Sequence, residues 1–111
     1  MTEKNGSILV IDDDQDVLVT AKMILKKQFK KIDTLGNPEE IRKLKKLGGY
    51  DLILLDMNFS PGATSGEEGL FWLRYILQEE SEAVVIMITA YGGIDLAVKA
   101  VKTGAVDFIV K

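Results

Sequence analysis

ILVIDDD, residues 8–14, is an apolar run that stops abruptly in three acids. Its apolar residues are consecutive rather than alternating, the pattern of a strand buried on both faces of a parallel sheet. Working outward, further short runs recur at Lys31 to Leu35, Leu52 to Leu55, Val84 to Ile88 and Val106 to Val110. The run at Lys31 to Leu35 alternates with polar residues and reads as an edge strand. The other four suit strands covered by helices on each side.

Between the runs the period lengthens to that of helices. After Asp14, a capping residue, Val17, Leu18, Ala21, Ile24, Leu25 and Phe29 form an apolar stripe with Lys22, Lys26 and Lys27 outside it. A second helix is predicted from Pro38, with Glu39 and Glu40 in its first turn, Ile41, Leu44 and Leu47 on its inner side and Gly48-Gly49 as its stop. Ser65 caps a third, carrying Leu70, Leu73 and Leu77, and Ile94, Ala97, Val98 and Val101 mark a fourth that ends at Gly104. Strict alternation of strand and helix with right-handed crossovers gives an α/β fold, a doubly wound five-stranded parallel sheet of flavodoxin-like type with strand order 2-1-3-4-5. One domain over residues 1–111 is expected, and a fifth helix is not expected within it because the sequence stops directly after the fifth strand.

Composition excludes several chemistries. The 111 residues include no cysteine and no histidine, which removes disulfides, thiolate nucleophiles and the usual zinc sites. A net charge of −3 gives no basic footprint for nucleic acid, so direct nucleic-acid binding is not expected. The polar start Met1 to Ser7 lacks the blocks of a signal peptide, and no run reaches membrane-spanning length. A cytoplasmic domain without membrane contact is expected.

Ligands of open α/β sheets bind beyond the carboxyl ends of the strands. There the first strand delivers Asp12, Asp13 and Asp14, the third Asp56, the fourth Thr89 and the fifth Lys111. Crowded carboxylates repel one another and are relieved by protons or a cation. Magnesium, which prefers oxygen and keeps several waters, needs only a few ligands from Asp12, Asp13, Asp56 and a nearby backbone carbonyl. Asp56 can then act as a nucleophile toward a phosphoryl donor, with Thr89 and Lys111 neutralising the moving group. Asp14 and Asp16 read as caps or solvated residues.

Four stretches in order, ILVIDDD, DLILLD ending in Asp56, MITA with Thr89-Ala90 and GAVDFIVK ending in Lys111, resemble the receiver domain of bacterial two-component response regulators. The resemblance implies that Asp56 accepts a phosphoryl group from a sensor histidine kinase. It implies that Asp13 binds Mg2+ directly, that Asp12 acts through water and that the Asn58 backbone carbonyl completes the protein's share of the shell. Thr89 would turn its hydroxyl to the phosphoryl group, Ala90 would leave room for it, Lys111 would bind another oxygen and Phe108 would change rotamer with Thr89. Such a domain is not an enzyme beyond catalysing its own phosphorylation and dephosphorylation.

Two departures stand out. MNFSPGATSGEEG, residues 57–69, carries Pro61 later than receivers do, in a longer loop, and the family continues past the lysine with a proline and a fifth helix. A longer parent is implied, and TAYG with DLAVKAVKTGAVDF resembles receivers of transcription activators in which an ATPase domain and a DNA-binding domain follow. Tyr91 and Asn58 sit where receivers vary the lifetime of the phosphorylated state.

On a helical wheel Leu96 and Ala100 lie opposite the stripe of the fourth helix and are expected to face outward, after a flexible Gly92-Gly93. Phe71, Trp72 and Tyr75 lie away from the stripe of the third helix. The surface of the fourth helix and fifth strand is the expected route to an output domain and to a homodimer. A magnesium-dependent phosphohydrolase is the rival reading, but its second acid would fall at Asn58, which cannot donate as an acid. A flavin site would place an anion against three acids.

Overall fold

Ile8 to Ile11 are fully buried, as an apolar run without alternation requires. The computed structural model describes residues 6–44, 47–59, 66–90 and 94–110. In it β1 (Ser7–Ile11), β2 (Lys31–Leu35), β3 (Leu52–Asp56), β4 (Val85–Thr89) and β5 (Asp107–Val110) form one parallel sheet in the order β2-β1-β3-β4-β5. The connections carry α1 (Gln15–Leu25), α2 (Glu67–Glu79) and α3 (Ile94–Thr103). Leu9, Ile11, Ile53, Leu55, Val85 and Met87 point to the larger core under α2 and α3, whereas Ile8, Val10, Leu52 and Leu54 meet α1 through Leu18, Ala21 and Leu25. Helices thus cover both faces, and β2 and β5 are the edges.

The expected second helix is instead a pair of 3-10 turns, Pro38–Lys43 and Leu47–Gly49. Ile41 in the first turn and Leu47 in the second are buried, and Leu44, the extended C-cap of the first, packs against the same core. The Asn37 side chain accepts from the Glu39 N–H (3.0 Å) and starts the first turn.

Two helix faces differ from expectation. On α3 the inner residues are Ala100, fully buried, and Leu96, which packs on the larger core. Ile94 and Val101 are 83% and 53% exposed, and Val98 is exposed too. Both sides of this helix are apolar, so periodicity could not choose between them. The small Ala100 allows close approach to the sheet, and its carbonyl accepts from the buried Ala105 (3.0 Å), whose neighbour Val106 joins β4 by donating to Val85 (2.9 Å). On α2, Trp72 is only 5% exposed because Arg42 of the first 3-10 turn lies over its ring, 4.9 Å from the centroid, while Phe71 and Tyr75 meet it edge-on. On α1, Ile24 is exposed rather than part of the buried stripe.

The β2 edge is held by a polar clasp. The Tyr50 hydroxyl donates to the Asp33 carboxylate (2.6 Å), which also lies 3.5 Å from the Lys31 ammonium. Burial, and then the hydrogen bond and charge of Asp33, push the Tyr50 hydroxyl up from 10.0 to about 12. Because the folded state holds this proton more tightly, the clasp stabilises fully below pH 10.0 and is lost as pH rises through about 12. Urea unfolding across that window is expected to show a steeper alkaline loss for the native chain than for Tyr50→Phe. Parallel loss in both would show that the clasp carries no pH dependence.

Candidate functional site

Because the sheet is parallel, β1, β3, β4 and β5 all end at one edge. Asp12 follows β1 directly and is held to the edge by donating its N–H to the Leu35 carbonyl (3.1 Å). Its carboxylate accepts from the Asp14 N–H (2.9 Å), a turn that aspartate favours, and Asp14 in turn caps α1 by accepting from Asp16 (2.9 Å) and Val17 (3.4 Å). Asp14 is therefore a cap, as its sequence position indicated. Asp56 ends β3 one register step from Leu55, which pairs with Ile11, so the two strand ends carry their acids side by side.

Asp12 is 0% and Asp56 3% exposed, while Asp13 is exposed at the mouth. One carboxylate oxygen from each of the three lies within 4.8 Å of the others. Hard oxygen donors converging from two buried groups and one open one fit a small divalent cation that keeps part of its water shell. A cation held there would offset the repulsion that otherwise opposes burying two carboxylates together.

Thr89 ends β4 fully buried, next to this cluster in the sheet order, and pairs in register with Val110. Phe108 pairs with Met87, so its side chain leaves the same face of the sheet as Thr89, and it is half-buried against the larger core. The structure therefore brings Asp12, Asp13, Asp56 and Thr89 to one edge and sets Phe108 two residues behind. Lys111, Pro61, Ser65, Tyr91 and Gly92-Gly93 lie outside the described residues, and the N-cap of α2 is Gly66.

Sequence reasoning missed how the chain after Asp56 is secured. Met57 donates to Ile88 (2.9 Å) and accepts from the Gly69 N–H (2.8 Å), so its carbonyl takes a donor that a capping side chain would otherwise satisfy. The Asn58 side chain accepts from Gly66 (2.9 Å), and Glu68 accepts from the Phe59 N–H (3.1 Å). Gly66 has φ 77°, and a Cβ there would meet Met57 Cε at 2.7 Å. The isolated Gly69 inside a helical pattern was the available signal, since such a glycine marks close backbone approach.

A five-stranded parallel sheet of this order, with an acidic triad at its carboxyl edge, defines a doubly wound α/β fold with a candidate cation site at its strand ends. The chain belongs to the response regulator receiver domain family, which it matches over residues 8–111. It is similar to the response regulator protein PilR of Pseudomonas aeruginosa, 37% identical over 105 residues covering 93% of this chain and 22% of that protein. It is 27% identical to the transcriptional regulatory protein ZraR of Escherichia coli over 100% of this chain and 24% of that protein. The chain thus spans about a quarter of the curated relatives it matches. Among solved structures, the N-terminal signal receiver domain of a two-component response regulator from Bacteroides fragilis is 40% identical, with a TM-score of 0.81 over 96% of this chain and 84% of that one. A response regulator from Burkholderia pseudomallei with a phosphorylated aspartic acid, a calcium ion and citrate is 26% identical, with a TM-score of 0.79 over 96% of this chain and 60% of that one. Among the described residues no helix is long and apolar enough to cross a membrane.

Proposed function

We propose that residues 1–111 are one phosphoacceptor switch in which Asp56 takes a phosphoryl group from a sensor histidine kinase. The observation that carries this reading is the convergence of the Asp12, Asp13 and Asp56 carboxylates within 4.8 Å beside the buried Thr89. An Asp56 oxygen attacks phosphorus, the new O–P bond forms as the donor's P–N bond breaks, and the imidazole nitrogen leaves with the electron pair. When bound, Mg2+ supplies positive charge to the phosphoryl oxygens. Asp13 and Asp56 would hold it directly, Asp12 through water, and the Asn58 carbonyl would complete the set. Thr89 and Lys111 would each bind a phosphoryl oxygen. The phosphorylated aspartic acid and calcium ion of the Burkholderia pseudomallei neighbour support the same use of this edge.

Phosphorylation adds roughly two negative charges and three acceptor oxygens. Drawing the Thr89 hydroxyl toward them frees space into which Phe108 turns, biasing an existing equilibrium of α3 and β5. Ile94, Val98 and Val101 on α3 are exposed, as is Val110 on the α3 side of β5, and they offer an apolar surface suited to an output domain or a second copy. That correction to the facing of α3 moves the output surface from Leu96 and Ala100 to Ile94, Val98 and Val101. The named relatives include transcriptional regulatory proteins, and control of transcription in the cytoplasm through following ATPase and DNA-binding domains is the corresponding reading for the parent of this chain.

Incubation with Mg2+ and a small phosphodonor, followed by intact mass, tests the assignment: one stable phosphoryl group per chain is expected. Free phosphate released in many turnovers without a modified chain would instead favour a phosphohydrolase. Calorimetric titration of Asp13→Asn should show Mg2+ binding weakened at least about tenfold, or about 1.4 kcal/mol. Unchanged affinity would remove Asp13 from the shell.

A further inference from the structure

We propose that Glu68 is a positioning residue that aims the Asn58 carbonyl and thereby sets Mg2+ affinity. The inference rests on the reading of the acidic edge given above. The Asn58 carbonyl and the Phe59 N–H belong to one planar peptide unit, and no described peptide bond is cis. In a trans peptide the two groups point in opposite directions. Glu68 Oε1 accepts from that N–H at 3.1 Å, so the carboxylate holds the plane and the Asn58 oxygen faces away from α2. An ionised acceptor also makes a stronger hydrogen bond than a neutral one and polarises the peptide, which raises the negative charge on the carbonyl oxygen.

The rest of the turn is built to keep this plane still. Asn58 Oδ1 accepts from Gly66 at 2.9 Å, which ties the Asn58 side chain to the start of α2, while the Met57 carbonyl accepts from Gly69 at 2.8 Å. Asn58 Oδ1 must be the oxygen, because Gly66 N is a donor, and the Asn58 Nδ2 left behind is buried with no hydrogen-bond partner among the described residues. A buried donor without an acceptor costs stability, and the hydrogen bond from Gly66 is what holds the side chain in this orientation against that cost. A glutamate in the first turn of a helix ordinarily serves the helix dipole. Here it reaches out of the helix to the residue three beyond the acceptor, and its neighbour Glu67 supplies the same charge to the same turn.

Calorimetric titration with MgCl2 alone, on the native chain, Glu68→Ala, Glu68→Gln and Glu67→Ala, tests the proposal, with melting temperature recorded for each. Glu68→Ala is expected to weaken Mg2+ binding about tenfold, the usual scale for a group that orients a metal ligand. Glu68→Gln keeps an acceptor without the charge and should recover most of that loss. Glu67→Ala should bind nearly as the native chain does. At saturating Mg2+, phosphorylation of Glu68→Ala by a small phosphodonor should return to the native rate, since the defect lies in a metal ligand and not in Asp56. Equal weakening in Glu67→Ala and Glu68→Ala would reduce the effect to charge and overturn the proposal. So would a lower melting temperature in Glu68→Ala with unchanged Mg2+ affinity. If the native chain binds no Mg2+, the metal reading of the acidic edge fails first and the positioning role falls with it. Native binding with an unaffected Glu68→Ala would sink the positioning role alone.

Discussion

Asp56→Asn is expected to take up no phosphoryl group from a small phosphodonor and Mg2+, while the native chain takes up one. Amide oxygen is a far weaker nucleophile than carboxylate, and the substitution also removes a hard anionic ligand from the triad, so bond formation and cation binding fail together. The fold should survive. Asp56 is buried beside Asp12 with Asp13 close by, and an amide of the same shape relieves repulsion among the three. Without Mg2+ and at low salt, Asp56→Asn should melt at or above the native temperature. Intact mass checks the first outcome and thermal unfolding the second. Modification of Asp56→Asn at the native level would move the acceptor elsewhere, and a large drop in melting temperature would mean that Asp56 is first a structural residue.

Gly69→Ala is expected to cost about 3 kcal/mol, combining overpacking with a lost backbone hydrogen bond. An added Cβ would lie 2.5 Å from Met57 Cα, 2.7 Å from the Met57 oxygen and 2.8 Å from the Asp56 oxygen. All three are backbone atoms at the end of β3 and cannot rotate away. The start of α2 must therefore back off, breaking the Gly69 to Met57 hydrogen bond and disturbing the peptide after Asp56. Against a total stability of roughly 5–15 kcal/mol this is a large fraction. Urea unfolding should show a lower midpoint with an unchanged slope. Gly48→Ala is the control, since the atoms nearest its Cβ would belong to the Glu80 side chain, which can swing aside. A Gly69→Ala midpoint equal to that of Gly48→Ala would show that α2 tolerates the shift without loss.

Much of the site was legible because its chemistry depends on residue type at strand ends, and strand ends can be read from apolar runs. Asp12, Asp13, Asp56 and Thr89 were placed in this way, and parallel topology brings strand ends together whatever the detailed packing. The edge character of β2 was also legible, since Asp33 and Thr34 break its apolar run.

Helix orientation was not legible in the same way. In residues 94–103, Ile94, Val98 and Val101 compete with Leu96 and Ala100 for the core, and a sum of hydrophobicity around a wheel favours the bulkier set. The sheet instead accepts the side with the small residue, because closeness of approach to β4 and β5 is decided by volume and by the buried Ala105 that follows. Trp72 went inside for a similar reason: Arg42, thirty positions earlier, roofs its ring, a contact that no local window contains. Glu68 and Asn58 are ordinary polar residues in sequence, and only the return of α2 against the end of β3 gives them a peptide to hold. Local order of residue types thus determined which groups reach the acidic edge. Packing between segments distant in sequence decided how firmly, and in which direction, those groups are held, because volume and hydrogen-bond partners are properties of neighbours in space.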